Sequence, residues 1–220
     1  MVAARRVAII AFDDVNSLDV TGPIEVFHGA SRALATSGAR GYDVGIATMD
    51  GAPVRCSSGI TLGATWAMTD LAEVHTLLVA GGTGTRDAAE DQLLLAEVRR
   101  IAARSERVGS VCTGAFVLAA AGLLDDRSAT THWASVRRLV DQYPSIRVEP
   151  DSIYTSDGSI WTSAGVTTGI DLALAMVADD HDDEVARNIA QWLVMYLRRS
   201  GGQSQFSAQL NAALARRVDI

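Results

Sequence analysis

Lysine is absent from this chain, so all 19 of its Lys and Arg positions are arginines. Against 26 acidic residues they leave a formal net charge of −7. Binding to a nucleic-acid backbone depends on clustered cationic side chains, and this sequence has no basic cluster. We therefore do not expect these residues to bind DNA or RNA by themselves.

Cysteine and long apolar runs are also scarce. Cys56 and Cys112 fall in different predicted elements without Cys-x-x-Cys spacing, which predicts neither a disulfide framework nor a zinc site and suits a reducing compartment. An apolar run such as 115–124 is too short to span a bilayer, and the first residues lead directly into a strand, which leaves no space for a signal peptide. We expect a cytoplasmic, soluble domain with no metal, no cofactor and no membrane contact.

What the chain does contain is a regular alternation of strand and helix patterns. Its 220 residues, 48% of them hydrophobic, suffice for one well-filled domain. Predicted strands cover 6–12, 42–48, 54–56, 60–62, 76–80, 108–111, 127–131, 146–148, 152–155 and 159–162. Predicted helices cover 23–35, with Pro23 as first residue, then 88–103, 115–121, 133–142, 166–178 and 184–199. This order predicts an α/β fold whose mostly parallel sheet has helices on both faces.

Cys112 stands where a buried strand meets a helix with no room for a loop. A bend this abrupt exposes one side chain at the sheet edge, as in the nucleophile elbow of hydrolases. The N-terminus of the next helix favours ionisation of a thiol there, and the thiolate is the reactive form. We interpret Cys112 as a reactive or sensing thiol; a buried cysteine that packs as a small hydrophobe is the alternative.

Residues that follow different predicted strands should meet at one edge of the sheet, because parallel sheets bind ligands outside the carboxyl ends of their strands. Cys112 and Asp19 are the candidate catalytic residues of this edge. The candidate ligand-binding or oxyanion residues are Gly81, Gly82, Thr113, Gly114 and His132. Backbone N–H groups of Gly82 and Thr113 are suited to an oxyanion, whereas Asp19 would orient the thiol or transfer a proton.

Simpler interpretations remain open for two of these residues. Asp19 is equally consistent with an ordinary loop or cap residue near Thr21 and Pro23. For His132 we favour a packed structural histidine beside Trp133. The glycines at 81–84 lack the Lys-Ser/Thr of a P-loop and the spacing of a dinucleotide-binding motif.

Several motifs together resemble the PfpI/ThiJ superfamily, which has a class I glutamine amidotransferase-like fold. They are 110–116 (SVCTGAF), 119–124 (AAAGLL), 129–133 (ATTHW), 19–27 (DVTGPIEVF) and 80–84 (AGGTG). The resemblance covers nearly all of residues 5–199. It implies a flavodoxin-like three-layer sandwich, a nucleophile-elbow cysteine, an acid on the first helix and a homodimer.

Two branches of the superfamily share these motifs. One comprises isocyanide hydratase-like enzymes, in which the cysteine attacks an isocyanide and water yields an N-substituted formamide. The other comprises the N-terminal sensor domains of AraC-family transcriptional regulators, whose helix-turn-helix part follows. Residues 155–158, 162–171 and 198–207 resemble the regulator branch, the last of them the junction before the DNA-binding part.

We therefore expect a domain over residues 1–199, and over 200–220 a linker with a weak helix at 211–217. The expected function is binding of a small metabolite, or a response to oxidation, near Cys112. DNA would be bound only through a C-terminal helix-turn-helix domain that these 220 residues do not include. The alternative is a cysteine-dependent hydratase of the isocyanide type.

Overall fold

The computed structural model describes residues 4–35, 38–196 and 202–203. Within them the strands are β1 (Arg5–Ile10), β2 (Tyr42–Thr48), β3 (Val54–Arg55), β4 (Thr61–Leu62), β5 (Trp66–Ala67), β6 (Thr76–Val79), β7 (Arg107–Val111), β8 (Ser128–Ala129), β9 (Arg147–Val148), β10 (Tyr154–Asp157) and β11 (Ile160–Ser163). The helices are α1 (Ser17–Leu34), α2 (Thr85–Glu90), α3 (Gln92–Ala102), α4 (Gly114–Ala120), α5 (Val136–Gln142), α6 (Thr168–Asp180) and α7 (Asp183–Trp192). Short 3₁₀ turns lie at Met68–Asp70 and Trp133–Ser135.

Seven strands of the described part form one sheet in the order β10-β11-β7-β6-β1-β2-β5. Neighbouring strands run parallel except β10 and β11, which pair as an antiparallel hairpin. The mostly parallel sheet predicted from the sequence is therefore confirmed. Its carboxyl edge carries the segments that follow β1, β6 and β7.

Apolar side chains fill both faces of this sheet. Along β1, Val7 and Ile9 belong to the core under α1, α6 and α7, whereas Ala8 and Ile10 belong to the core under α3 and α4. All four are fully buried, which explains why the strand is a continuous apolar run rather than an alternating one. Helices cover both faces, as predicted.

The start predicted for the first helix, at Pro23, is wrong. Helix α1 begins at Ser17, and the Asn16 side chain caps it by accepting a hydrogen bond from the Leu18 N–H (3.0 Å). Pro23 lies inside the helix although it lacks an N–H to donate. The earlier start places Asp19 in the first helical turn rather than in a loop.

Three other predicted bounds need correction. The helix predicted at 88–103 is two helices, because Asp91 caps α3 by accepting from the Leu93 and Leu94 N–H groups. The strand predicted at 127–131 is only β8, which pairs with β9 outside the main sheet. The helix predicted at 184–199 ends at Trp192, since Val194 takes a left-handed φ of 55°.

Most of the predicted linker 200–220, including its helix at 211–217, lies outside the described residues. Gly202 and Gln203 are described, and Gln203 is 4% exposed. Among the described helices, none is both long and apolar enough to cross a membrane.

Candidate functional site

Cys112 occupies the joint between β7 and α4 with a left-handed backbone, at φ 58°. Few non-glycine residues adopt this conformation, which costs about 1–3 kcal/mol and persists only where the surrounding structure holds it. Here its N–H donates to the Ser163 carbonyl (3.0 Å) and its carbonyl accepts from the Thr131 hydroxyl (2.9 Å). The bend predicted at Cys112 is therefore present, and two neighbouring segments hold it.

Two glycines in different loops lie directly against Cys112. A Cβ on Gly81 would lie 2.9 Å from Cys112 Cβ and 2.6 Å from the Thr113 nitrogen. A Cβ on Gly165 would overlap Cys112 Cβ and lie 2.7 Å from its Sγ. Only glycine permits this approach, so both loops reach the thiol with bare backbone. Cys112 is consequently only 7% exposed, so the prediction that the bend exposes this side chain is wrong.

Asp19 lies beside the thiol and is fully buried. Its carboxylate accepts hydrogen bonds from the Val166 N–H (2.8 Å) and the Gly81 N–H (3.1 Å), and it is hydrogen-bonded to Cys112. Burial raises the pKa of Asp19 to about 6, and these hydrogen bonds oppose the rise. Asp19 is thus mostly ionised at neutral pH. Its pKa is nevertheless close enough to neutral pH for the carboxylate to take up and release a proton.

The expectation that the Cys112 thiol ionises easily is wrong. Burial, followed by the negative charge of Asp19, raises its pKa to about 12, while the Thr113 N–H and hydroxyl oppose the rise. Helix α4 is only seven residues long, so its dipole is small against these two effects. The resting pair is therefore a neutral thiol beside a carboxylate.

The backbone donors predicted for an oxyanion already have partners. These donors are the Gly82 N–H, which donates to Thr113 Oγ1 (3.0 Å), and the Thr113 N–H, which is hydrogen-bonded to the Cys112 sulfur. Gly114 serves close packing, because a Cβ there would overlap the Val79 carbonyl. An oxyanion at Gly82 would have to displace the Thr113 hydroxyl, and the oxyanion role of these residues stays a prediction.

Val166 is a residue of this site that sequence reasoning missed. It has a left-handed φ of 54°, which is a genuine outlier for a β-branched side chain. The same conformation directs its N–H at Asp19, 147 residues away in the chain. Local strain of this kind concentrates at functional sites, and no sequence pattern marks it, apart from Gly165 directly before it.

His132 lies on a small cavity beside the thiol rather than at the end of a main-sheet strand. Its Nδ1 accepts from the Ala134 N–H (3.3 Å), its ring packs against Trp133 at 5.4 Å, and burial lowers its pKa. The cavity has a volume of about 140 Å³. Its lining residues are His132, Trp133, Ile153, Ala164, Gly165, Val166, Thr167, Thr168 and Gln203.

The structure thus brings together Asp19, Gly81, Gly82, Cys112 and Thr113, as the sequence predicts, and places His132 on the neighbouring cavity. The prediction that His132 follows a strand of the main sheet is wrong, because β8, the strand before it, does not belong to that sheet. Within residues 4–35, 38–196 and 202–203, no group of three or more His, Cys, Asp and Glu side chains is arranged to hold a metal ion.

With this geometry in place, the chain can be compared with known proteins. The model of the DJ-1/PfpI family matches residues 5–179. This chain belongs to the DJ-1/PfpI family. The superfamily resemblance drawn from its motifs is therefore confirmed.

Relatives of this DJ-1/PfpI chain include both an enzyme and transcriptional regulators. It is 34% identical to isonitrile hydratase of Pseudomonas putida over 178 residues, 80% of this chain and 72% of the enzyme. It is 32% identical to the HTH-type transcriptional regulator GlxA of Rhizobium meliloti over 64% of this chain and 44% of the regulator. The crystal structure of an AraC family transcriptional regulator from Pseudomonas putida superposes with a TM-score of 0.72 and 25% identity, covering 86% of this chain and 99% of that one.

Proposed function

We propose that this chain is the N-terminal ligand-sensing domain of an AraC-family transcriptional regulator and binds a small metabolite beside Cys112. The observation that carries the proposal is the cavity at His132 and Gly165, which adjoins a neutral, buried thiol. The similarity to GlxA and to the AraC family structure supports the same assignment. The proposal includes a homodimer. It also includes DNA binding through a helix-turn-helix domain, which would belong to the part of such a regulator that this chain does not match, since the match covers 44% of GlxA.

The lining of the cavity favours a small neutral ligand. None of its described lining residues is an Asp, Glu, Lys or Arg, and burial lowers the pKa of His132, which keeps its imidazole neutral. A cavity of about 150 Å³ holds a molecule the size of benzene. The cavity here, about 140 Å³, is therefore matched to a ligand of similar size.

Ligand sensing is a better match to this site than oxidant sensing. Oxidation of a cysteine follows the thiolate fraction and the exposure of the sulfur. Cys112 is 7% exposed and its pKa is raised to about 12, so both factors are small. The buried thiol instead lies behind Gly165, which lines the cavity and would contact a ligand there.

A thermal-shift screen with small neutral amides tests this function, and amines and quaternary ammonium compounds of similar size, which are cations at neutral pH, are the comparison that should give no shift. We expect at least one compound to raise the melting temperature in proportion to its concentration. Ile153→Trp, which fills the cavity, should abolish the shift. Ile60→Trp on the exposed β3–β4 ribbon should retain it. A shift that survives Ile153→Trp would place the ligand elsewhere and contradict the proposal.

A second candidate function is hydration of an isonitrile, and the Asp19–Cys112 pair favours it. Asp19, with a pKa of about 6, is suited to take a proton and return it at neutral pH. The 34% identity to isonitrile hydratase supports this function too.

In this reaction the Cys112 sulfur attacks the terminal carbon of the isonitrile, and its proton passes through Asp19 to that carbon. The product is a thioimidate in which carbon is bonded to sulfur, hydrogen and nitrogen. Water then adds to the carbon, the C–S bond breaks, and the thiol recovers its proton as the N-substituted formamide leaves. No oxidant or cofactor enters the balance.

Incubation with cyclohexyl isocyanide, followed by mass spectrometry of the formamide, tests the enzyme function. Turnover that is lost in both Cys112→Ala and Asp19→Asn would establish it. Cys56→Ala, at the other free cysteine, is the matched control and should retain turnover. Absence of formamide in the unchanged protein, together with a ligand in the thermal-shift screen, would leave the sensor function alone.

A further inference from the structure

Gln203 is inserted into the domain beside the cavity, although it lies eleven residues after the end of α7. Its side chain is 96% buried, since its exposed fraction is 4%. Its Nε2 atom has four oxygens within hydrogen-bond distance, those of Thr130 Oγ1 (3.2 Å), Thr131 O (3.1 Å), Pro150 O (3.3 Å) and Ser152 O (3.0 Å). A cradle made only of acceptors selects an amide nitrogen over an oxygen.

The backbone at this point fits equally closely. The Gln203 N–H donates to the Asp151 carbonyl (2.8 Å). Gly202 approaches Asp151 so closely that a Cβ would overlap the Asp151 carboxylate. Gly202 and Gln203 thus form a docked pair, which we call the C-terminal anchor.

Two hydrogen bonds, both involving Thr131, connect the anchor to the backbone of Cys112. Gln203 Nε2 donates to the Thr131 carbonyl, and the Thr131 hydroxyl donates to the Cys112 carbonyl (2.9 Å). The second bond is one of the two that hold Cys112 in its left-handed conformation. Gln203 also lines the cavity together with Gly165, which contacts the thiol. A ligand in the cavity would therefore touch both the thiol site and the anchor.

One buried polar atom of the anchor opposes its docking. Gln203 Oε1 is buried and finds no hydrogen-bond partner in the part of the chain that the structure describes. A buried acceptor without a partner opposes docking, because undocking returns it to water. The hydrogen bonds of Nε2 favour docking and the buried Oε1 opposes it.

We propose that Gln203 is a positioning residue for the Cys112 site, and that occupancy of this site and docking of the C-terminal anchor are thermodynamically coupled. The coupling rests on the proposed small-molecule site and describes how its occupancy is passed to the chain beyond the domain. Coupling between two equilibria is reciprocal. Filling the site must therefore change the docking equilibrium of the anchor, and undocking must change the free energy of filling the site by the same amount. This reciprocity allows a test that needs no knowledge of the natural ligand.

The first test measures hydrogen exchange of the anchor by mass spectrometry before and after Cys112 is alkylated with iodoacetamide. Because not even a methyl group fits between Gly165 and Cys112, the added carboxamide group should displace Gly165 and with it one wall of the cavity. We expect exchange at Gln203 and at the 149–153 loop to change by about fivefold or more, the lower end of ordinary coupling. The exposed ribbon at Gly59 should not change. Unaltered exchange at Gln203 in a fully alkylated protein would overturn the proposal.

The second test reverses the direction and follows the rate of Cys112 alkylation. Gln203→Met preserves the length of the side chain and removes its hydrogen bonds, so we expect faster alkylation and a lower apparent thiol pKa as water enters. Thr131→Val, which deletes the intermediate hydroxyl, should act in the same direction. The double variant should react little faster than either single variant, since both interrupt one path. Gln191→Met on the exposed side of α7 is the matched control.

A purely structural Gln203 gives a different result. The melting temperature of Gln203→Met would then fall while the rate and pH profile of Cys112 alkylation stayed unchanged, and the coupling would be refuted. If that variant does not fold, the exchange experiment on the unchanged protein still decides. Coupling without any ligand in the thermal-shift screen would support the anchor while contradicting the sensor function, so the two proposals fail separately.

Discussion

Cys112 and Asp19 have pKa values above those usual for their residue types, and the two shifts share one physical origin. Burial removes both groups from water, which disfavours the charged form of each. Hydrogen bonds from the Gly81 and Val166 N–H groups stabilise the Asp19 carboxylate and limit the rise of its pKa. The pKa of Cys112 is instead raised further by the negative charge of Asp19. The proton therefore stays on sulfur at neutral pH, and the carboxylate is the group ready to accept it.

The pH dependence of Cys112 alkylation follows from these values. Because burial and the negative charge of Asp19 raise the pKa of Cys112 to about 12, the thiol is almost entirely protonated at pH 8, and the rate should still rise with pH at pH 10. Asp19→Asn removes the neighbouring charge, so it should lower the thiol pKa and accelerate alkylation at pH 8. The exposed Asp14→Asn is the control and should leave the rate unchanged. A plateau below pH 10 in the unchanged protein would contradict the expected order of pKa values.

Gly165 should be intolerant of any side chain. Gly165→Ala adds a Cβ that overlaps Cys112 at a φ of 96°, and we expect it to lower the free energy of unfolding by about 3 kcal/mol. Gly59→Ala is the matched control, because Gly59 has a φ of 88° with open space around it. That change should cost about 1 kcal/mol, the backbone penalty alone. Urea unfolding measures both; equal losses would show that the approach to Cys112 is not tight.

At the scale of elements, α1 determines whether the acid reaches the thiol. The helix starts six residues before Pro23 because Asn16 caps its first turn, and this start places Asp19 against the Gly81 loop. The Asn16 N–H also donates to the Gly81 carbonyl (2.7 Å), which ties the cap to the same loop. The entry to α1 and the loop after β6 therefore form one unit.

Removal of this cap gives a prediction for α1. Asn16→Ala deletes the hydrogen bond to the Leu18 N–H and should lower the free energy of unfolding by about 1 kcal/mol. Asn16→Asp retains an acceptor in the same place and should remain within about 0.5 kcal/mol of the unchanged protein. Both are measured by urea unfolding. A loss of the same size in both variants would show that the side-chain cap is not what fixes the start of α1.

At the scale of the whole molecule, a buried ionic cluster holds the edge of the sheet opposite to Cys112. Arg107, the first residue of β7, donates to Asp180 at the end of α6 (2.8 Å), and the Tyr42 hydroxyl donates to the same carboxylate (2.7 Å). Arg107 is 5% exposed. The cluster joins the ends of β2, β7 and α6. One edge of the sheet therefore contributes stability through this cluster, and the opposite edge carries the Cys112 site.

Breaking this cluster should destabilise the domain without altering the site. Asp180→Ala leaves the Arg107 charge buried with its main partner gone, and we expect a loss of about 3 kcal/mol in the free energy of unfolding. Asp179→Ala is the control, because its carboxylate is 62% exposed and 3.4 Å from Arg107, and it should cost under about 1 kcal/mol. The rate of Cys112 alkylation in the folded state should match the unchanged protein in both. A change in that rate would show that the two edges are not independent.

The sequence by itself determined the alternation of the long central strands with helices and most of the residues that meet at the carboxyl edge. Apolar runs such as 108–111 and 76–79 are buried on both faces, so their local pattern is sufficient to identify them, and parallel strands then bring Asp19, Gly81 and Cys112 together. Only the tertiary structure decided that the thiol is buried and hard to ionise, that Val166 is strained to reach Asp19, and that Gln203 returns to the cavity wall. Each of these depends on contacts between residues far apart in the chain, and a local pattern of side chains does not record which distant backbone will approach or how much water it will exclude.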